Sequence, residues 1–154
     1  MSGRSVSHDT FIIDRYYDVT PSRVYTAWAD PDEKALWFPI GEEFDFRVGG
    51  REYSQGIAPD GHQYTYDAIY QEIVPSERII YSYAMDLDKT RISVSVASVE
   101  FKAKGSGTQL LLTEQGAFLD GLDNVSQREH GTKILLDKLG ETLLPASSKK
   151  YIKK

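Results

Sequence analysis

Apolar residues recur along this chain first with period two, then at helical spacing, then with period two again for most of the remaining length. After about nine mostly polar residues, TFIIDRYYDV (10–19) is rich in β-branched and aromatic side chains, and it predicts a strand ending before Thr20-Pro21. Thr20 as N-cap and Pro21 at the first helical position start a helix with Val24, Ala27 and Trp28 on one face. Asp30-Pro31 repeats the signal, with Asp32 and Glu33 favourable beside the helix dipole. It predicts a second short helix through Ala35, Leu36, Trp37 and Phe38, closed by Pro39.

From Glu43 to Gly116, runs of period two are separated by turn chemistry at Gly49-Gly50, Pro59-Asp60-Gly61, Pro75-Ser76, Asp88-Lys89 and Gly105-Ser106-Gly107. Six more antiparallel strands follow from that punctuation. Leu135, Leu136, Leu139 and Leu143 then return to helical spacing, behind a capping box from Ser126 to Glu129 and ahead of Pro145. The expected fold class is α+β: a seven-stranded antiparallel sheet curled around a long C-terminal helix, with two short helices after strand 1. Only the last helix is long and apolar enough to cover the sheet. One helix rarely fills such a concavity, so a pocket is expected between sheet, long helix and helical pair. The expected boundaries are a flexible N-terminus over 1–9, one domain over 10–145 and a basic tail over 146–154.

The stretch DFRVGGREYSQG (45–56) predicts a tight Gly49-Gly50 turn that pairs Val48 with Arg51, Arg47 with Glu52, Phe46 with Tyr53 and Phe44 with Gln55. That register sends Phe44, Phe46, Val48 and Tyr53 inward. It leaves Glu43, Asp45, Arg47, Glu52 and Ser54 outside, with Arg47 and Glu52 as a cross-strand ion pair. Two glycines between two strands do not make a dinucleotide fingerprint, and no Gly-Lys-Ser/Thr phosphate loop occurs. In RISVSVASVEF (91–101) the apolar positions switch from Ile92, Val94 and Val96 to Val99 and Phe101. A bulge near Ala97 or Ser98 accounts for the switch. So does an inner face of small residues, Ser93, Ser95 and Ala97.

Composition narrows the chemistry. The absence of cysteine from 154 residues excludes a disulfide scaffold, a thiolate nucleophile and Cys-ligated metal. The net charge is −5 with four lysines in the tail KKYIKK, so the rest carries −9, which argues against nucleic-acid binding. No apolar run approaches the roughly 20 residues of a membrane span, and MSGRSVSHDT lacks the apolar core of a signal peptide. The expectation is a soluble, cytoplasmic protein with no membrane partner.

The blocks DVTPSRVYTAWADPDEKALWFP, DFRVGGREY, IVPSERIIYSY, VEFKAKGSGTQLLLTEQGAF and REHGTKILLDKLGETL resemble, in that order, the bacterial START-like (SRPBCC) proteins grouped with the activator of heat-shock chaperone ATPase, the Aha-type family. The resemblance covers roughly residues 10–144. It implies the helix-grip (START/Bet v-like) fold with an internal hydrophobic cavity. Its relatives include lipid carriers, polyketide cyclases and aromatases, hormone binders and co-chaperone domains. Many members end their last block with Gly-Trp, whereas this chain has Gly131-Thr132, a smaller and more polar pair.

The expected cavity wall is aromatic: Trp37 and Phe38 at the helix exit, Phe44, Phe46 and Tyr53 on the first hairpin, Tyr66 beyond it, then Tyr81, Tyr83 and Phe118. Each of these also fits plain core packing. His130 is the candidate general acid or base, with Glu114 and Arg128 beside it, and a surface helix histidine is the alternative. His8, His62 and His130 are too scattered for a metal site, so neither metal nor cofactor is expected. Three functions follow: a carrier or sensor binding a hydrophobic or aromatic small molecule, a polyketide cyclase/aromatase-like enzyme, and a co-chaperone module contacting a chaperone. An exposed edge strand also permits a homodimer.

Overall fold

The proline-started helical turns and the run of alternating strands build ten elements in the computed structural model, which describes residues 3–144. They are β1 (Val6–Tyr17), α1 (Pro21–Ala29), α2 (Pro31–Lys34), β2 (Glu43–Phe44), β3 (Arg51–Ile57), β4 (Gln63–Val74), β5 (Arg78–Leu87), β6 (Thr90–Lys104), β7 (Gly107–Leu119) and α3 (Val125–Leu143). The strands form one antiparallel sheet in the order β1-β7-β6-β5-β4-β3-β2. Extra residues at Gln71 in β4 and Ile92 in β6 shift the register and bend those strands. The sheet curls around α3, the helix-grip arrangement, and Leu136, Leu139 and Leu143 enter the core beside Ile13, Val99 and Leu112. The basic tail expected at 146–154 lies outside the described residues.

The starts of α1 and α2 follow the sequence. Thr20 accepts a hydrogen bond from the Arg23 N–H, and Asp30 accepts one from the Asp32 N–H. Four other expectations change. β1 begins at Val6, because Val6–Asp9 pair with Gly116–Leu119 through backbone groups that side-chain polarity does not reveal. α2 stops at Lys34: the Leu36 and Trp37 N–H groups bond to Glu33 and Lys34 three residues back, tightening the chain into a turn, with Leu36 59% exposed. The cap of α3 is Asn124 rather than Ser126, since the Asn124 side chain accepts the Gln127 N–H at 2.9 Å and the helix has already begun at Val125.

The fourth change moves the first hairpin. β2 pairs Glu43 with Tyr53 and Phe44 with Glu52, so the connection spans Asp45–Gly50 rather than two glycines. The Gly50 N–H bonds to the Arg47 carbonyl at 2.7 Å, while Gly49 and Gly50 exchange hydrogen bonds with Tyr70 on β4. Gly49 has φ +83°, and a Cβ on Gly50 would collide with the Asp45 carbonyl, so both positions need glycine. The consequence is a flip of β3. Glu52 and Ser54 face the core, Tyr53 faces out beneath the Arg51 guanidinium 4.4 Å from its ring, and Val48 is 58% exposed. Arg47 pairs with Asp45, not with Glu52.

In β6, Ser93, Ser95 and Ala97 are buried and Val94 and Val96 exposed, with no register shift at Ala97 or Ser98. The small-residue inner face is therefore the correct alternative. It lies beside an aromatic one. Tyr83 of β5 pairs with Ser95, and Tyr81 with Ala97, so bulky rings on β4 and β5 give way to small side chains on β6.

Candidate functional site

The juxtaposition of large and small residues leaves a cavity of about 440 Å³ between the sheet, the segment after α2 and the first half of α3. That volume lies within the ~300–1,000 Å³ usual for small-molecule sites. Trp28, Trp37, Phe38, Tyr64, Tyr66, Tyr81 and Tyr83 give it an aromatic wall, closed by Met85, Leu112, Leu135 and Leu136. Gly131 and Thr132, the pair that replaces Gly-Trp, also line it. The Tyr66 ring lies tilted 5.0 Å from Tyr83 and packs edge-on at 5.2 Å against Phe38. Burial raises the Tyr66 and Tyr81 pKa values well above the ordinary phenol value, so both stay protonated donors.

Of the expected wall, Trp37, Phe38, Tyr66, Tyr81 and Tyr83 line the cavity, and Phe44, Phe46, Tyr53 and Phe118 do not. Phe44 and Phe46 stack on each other and pack edge-on against Tyr70, and Phe46 also meets Tyr25, outside the cavity. Tyr53 is turned outward by the β3 register. Phe118 is buried on the same face, with the Arg128 guanidinium 5.6 Å from its ring. Glu114 and Arg128 reach the cavity, whereas His130 is exposed. At 100° per residue, the turn of α3 that aims Arg128 and Thr132 inward sends His130 away.

Two buried polar centres meet this wall, the first through all three of its main residues and the second through Lys34 alone. In the first, the Tyr83 hydroxyl donates to Glu114 Oε2 at 2.6 Å, and Arg128 Nη1 donates to the Tyr83 oxygen at 2.9 Å. Arg128 Nη2 donates to Ser93 Oγ at 2.7 Å and to Asp123. Burial pushes the Glu114 carboxyl above its ordinary pKa of 4.5, against hydrogen bonds from Tyr83 and the charge of Arg128.

The second centre was not legible in the hydrophobic pattern. Lys34 Nζ donates to Glu52 Oε1 at 2.7 Å and to the Tyr70 hydroxyl at 3.3 Å, while Tyr70 donates to the same Glu52 oxygen at 2.5 Å. Exposure is 3% for Lys34, 0% for Glu52 and 2% for Tyr70. Burial lowers the Lys34 pKa, and Glu52 opposes that shift. The signal that would have found it is the register. Once Glu52 faces inward a buried cation is required, and Lys34 stands between Trp28 and Trp37, both core residues.

Among the described residues, no group of His, Asp and Glu gathers as a metal site, and no helix is long and apolar enough to cross a membrane.

A family model described as activator of Hsp90 ATPase homolog 1-like protein matches residues 18–144. The chain belongs to this family. Among solved structures, this Aha1-like chain is similar to protein Mll3558 from Rhizobium loti, with 44% identity over 90% of this chain and 99% of that one, at a TM-score of 0.84. It is also similar to an uncharacterised protein from Rhizobium leguminosarum, with 42% identity over 91% of this chain and 97% of that one, at a TM-score of 0.85. CalU16 from Micromonospora echinospora, 22% identical over 95% of this chain and 88% of its own, shares the fold at a TM-score of 0.68. No curated protein matches the chain.

Proposed function

We propose that this Aha1-like protein binds a flat, apolar or aromatic small molecule in the cavity, as a carrier or sensor. The observation that supports this reading is an aromatic cavity of about 440 Å³ with polar groups in its wall. Tyr66 and Tyr81 expose rings for stacking, and their hydroxyls make no hydrogen bond to another described residue. A thermal-shift series with 2-naphthol, a flavonoid and a fatty acid tests it. A ligand at a hundred times its Kd stabilises the folded state by about 2.7 kcal/mol. Thr132→Trp, which fills the cavity from α3, should abolish the shift. Failure of every probe to raise the melting temperature overturns the reading.

The Arg128–Tyr83–Glu114 centre favours a second reading, a cyclase/aromatase-like enzyme. A permanent cation, a phenol and a carboxyl with a raised pKa meet at one wall, the groups needed to stabilise an enolate and exchange its proton. Under that reading Glu114→Gln lowers turnover of a poly-β-keto substrate on the order of a hundredfold. Unchanged turnover removes Glu114 from the role.

A further inference from the structure

Binding an apolar molecule needs no lysine in the cavity wall, yet Lys34 is one of its lining residues. It is the last residue of α2, and its side chain is 4% exposed. Its Nζ lies 4.5 Å from the Phe38 ring centre, 5.2 Å from Phe44, 5.8 Å from Trp28 and 5.9 Å from Tyr70. Two N–H groups are directed to Glu52 and Tyr70. Glu52 receives both partners on Oε1, and its buried Oε2 accepts no hydrogen bond among the described residues.

A purely structural ion pair does not account for this arrangement. Replacing both members of a buried pair by apolar residues is often neutral or stabilising, so the pair is a poor way to dock α2 on the sheet. A carboxylate with one oxygen unsatisfied is also poor packing. A desolvated lysine in an apolar cavity, held beside a carboxylate that can take and return its proton, is instead the arrangement that activates an amine toward carbonyl compounds.

We propose that the Lys34 amine forms an imine with an apolar or aromatic aldehyde or ketone held in the cavity, with Glu52 as proton acceptor and counter-ion. The inference rests on the cavity being a ligand site. Lys34 passes a proton to Glu52, and the freed Nζ lone pair attacks the carbonyl carbon. A C–N bond forms, and the carbonyl oxygen takes the proton back from Glu52. Glu52 then takes a second proton from nitrogen and delivers it to the hydroxyl, which leaves as water as the C=N bond closes. The ammonium and the carbonyl compound become an iminium and water, with no oxidant or reductant.

Charge selects the ligand class. The Lys34–Glu52 pair is neutral before the reaction and the iminium–Glu52 pair is neutral after it, so no net charge enters the apolar wall. A carboxylic acid ligand would instead bring a second anion to Glu52. The surrounding ring faces favour the iminium as they favour the ammonium.

Reductive trapping tests the proposal. The whole chain is incubated with substoichiometric 2-naphthaldehyde and sodium cyanoborohydride, then digested and mapped by mass spectrometry. The expected result is a stable adduct at a single site, Lys34, suppressed by excess 2-naphthol and lost in Lys34→Met. Should Lys34→Met fail to fold, the peptide map of the unaltered protein decides. Adducts on other lysines without Lys34, while 2-naphthol still raises the melting temperature, overturn the imine and leave the binding reading standing. Absence of both adduct and stabilisation overturns both.

Discussion

Two buried trios of the same residue types, a cation, a glutamate and a tyrosine, meet the cavity in opposite ways: Arg128, Glu114 and Tyr83 all line it, whereas of Lys34, Glu52 and Tyr70 only Lys34 does. Lys34, Glu52 and Tyr70 form a closed set in which Lys34 and Tyr70 both donate to one Glu52 oxygen and Lys34 also donates to Tyr70. Arg128, Glu114 and Tyr83 form an open set that continues to Ser93 and Asp123. Arginine keeps its charge at any accessible pH, so the adjustable proton of the open trio belongs to Glu114. Lysine can give its proton up, so the closed trio can present either an ammonium or an amine. One trio is suited to fixing a polar atom of a ligand, the other to reacting with it.

Removing the cation from each trio breaks the comparison most sharply. Lys34→Met leaves Glu52 buried with only Tyr70 as donor, and urea denaturation should show a loss of about 3–5 kcal/mol. Lys34→Met combined with Glu52→Leu should recover most of that loss, because no charge then remains buried. A double variant as unstable as the single one would show that the lysine stem, not the ion pair, carries the stability. Arg128→Met should cost less, about 1.5–3 kcal/mol. Glu114 can take a proton and still bond to Tyr83, so this loss should be larger at pH 8 than at pH 5. Equal losses at both pH values would mean that Glu114 does not adjust.

The legibility of the two trios in the sequence differs for a physical reason. Arg128 and Glu114 stand near a helix start and a strand end that the hydrophobic periodicity locates, so their proximity follows from the order of elements. Lys34 and Glu52 come together through two local details that periodicity does not carry. The turn after α2 is tightened by three-residue hydrogen bonds, and the connection between β2 and β3 spans Asp45–Gly50. A two-glycine turn and this longer connection are both compatible with GG in a period-two run, and they place opposite faces of β3 inward. The same error hid Glu52 and promoted Tyr53. His130 failed for the complementary reason: helix boundaries were legible, but the rotation of α3 depends on which of its faces the sheet accepts. The seven strands, their antiparallel order and the helical pair needed none of these details.

The smallest expected effect is the most specific, because the two trios tilt stability against pH in opposite directions. The folded-state pKa of Glu114 is raised above 4.5, so the folded protein holds that proton more tightly than the unfolded chain. Its contribution is complete below pH 4.5 and is lost as pH rises through the folded value, with a slope of at most about 1.4 kcal/mol per pH unit. The folded-state pKa of Lys34 is lowered below 10.5, so there the unfolded chain binds more protons, and stability rises with pH over the interval just below 10.5. Burial also raises the pKa values of Tyr66, Tyr70, Tyr81 and Tyr83, which oppose the Lys34 slope as pH approaches 10. Chemical denaturation at a series of pH values should therefore show each slope as the difference between the protein and the variant that removes it. Glu114→Gln should flatten the acidic one alone, and Lys34→Met with Glu52→Leu the alkaline one alone. Loss of both slopes in either variant would mean that the trios titrate as one connected network through the tyrosines between them, and the division between a fixing centre and a reacting centre would fall.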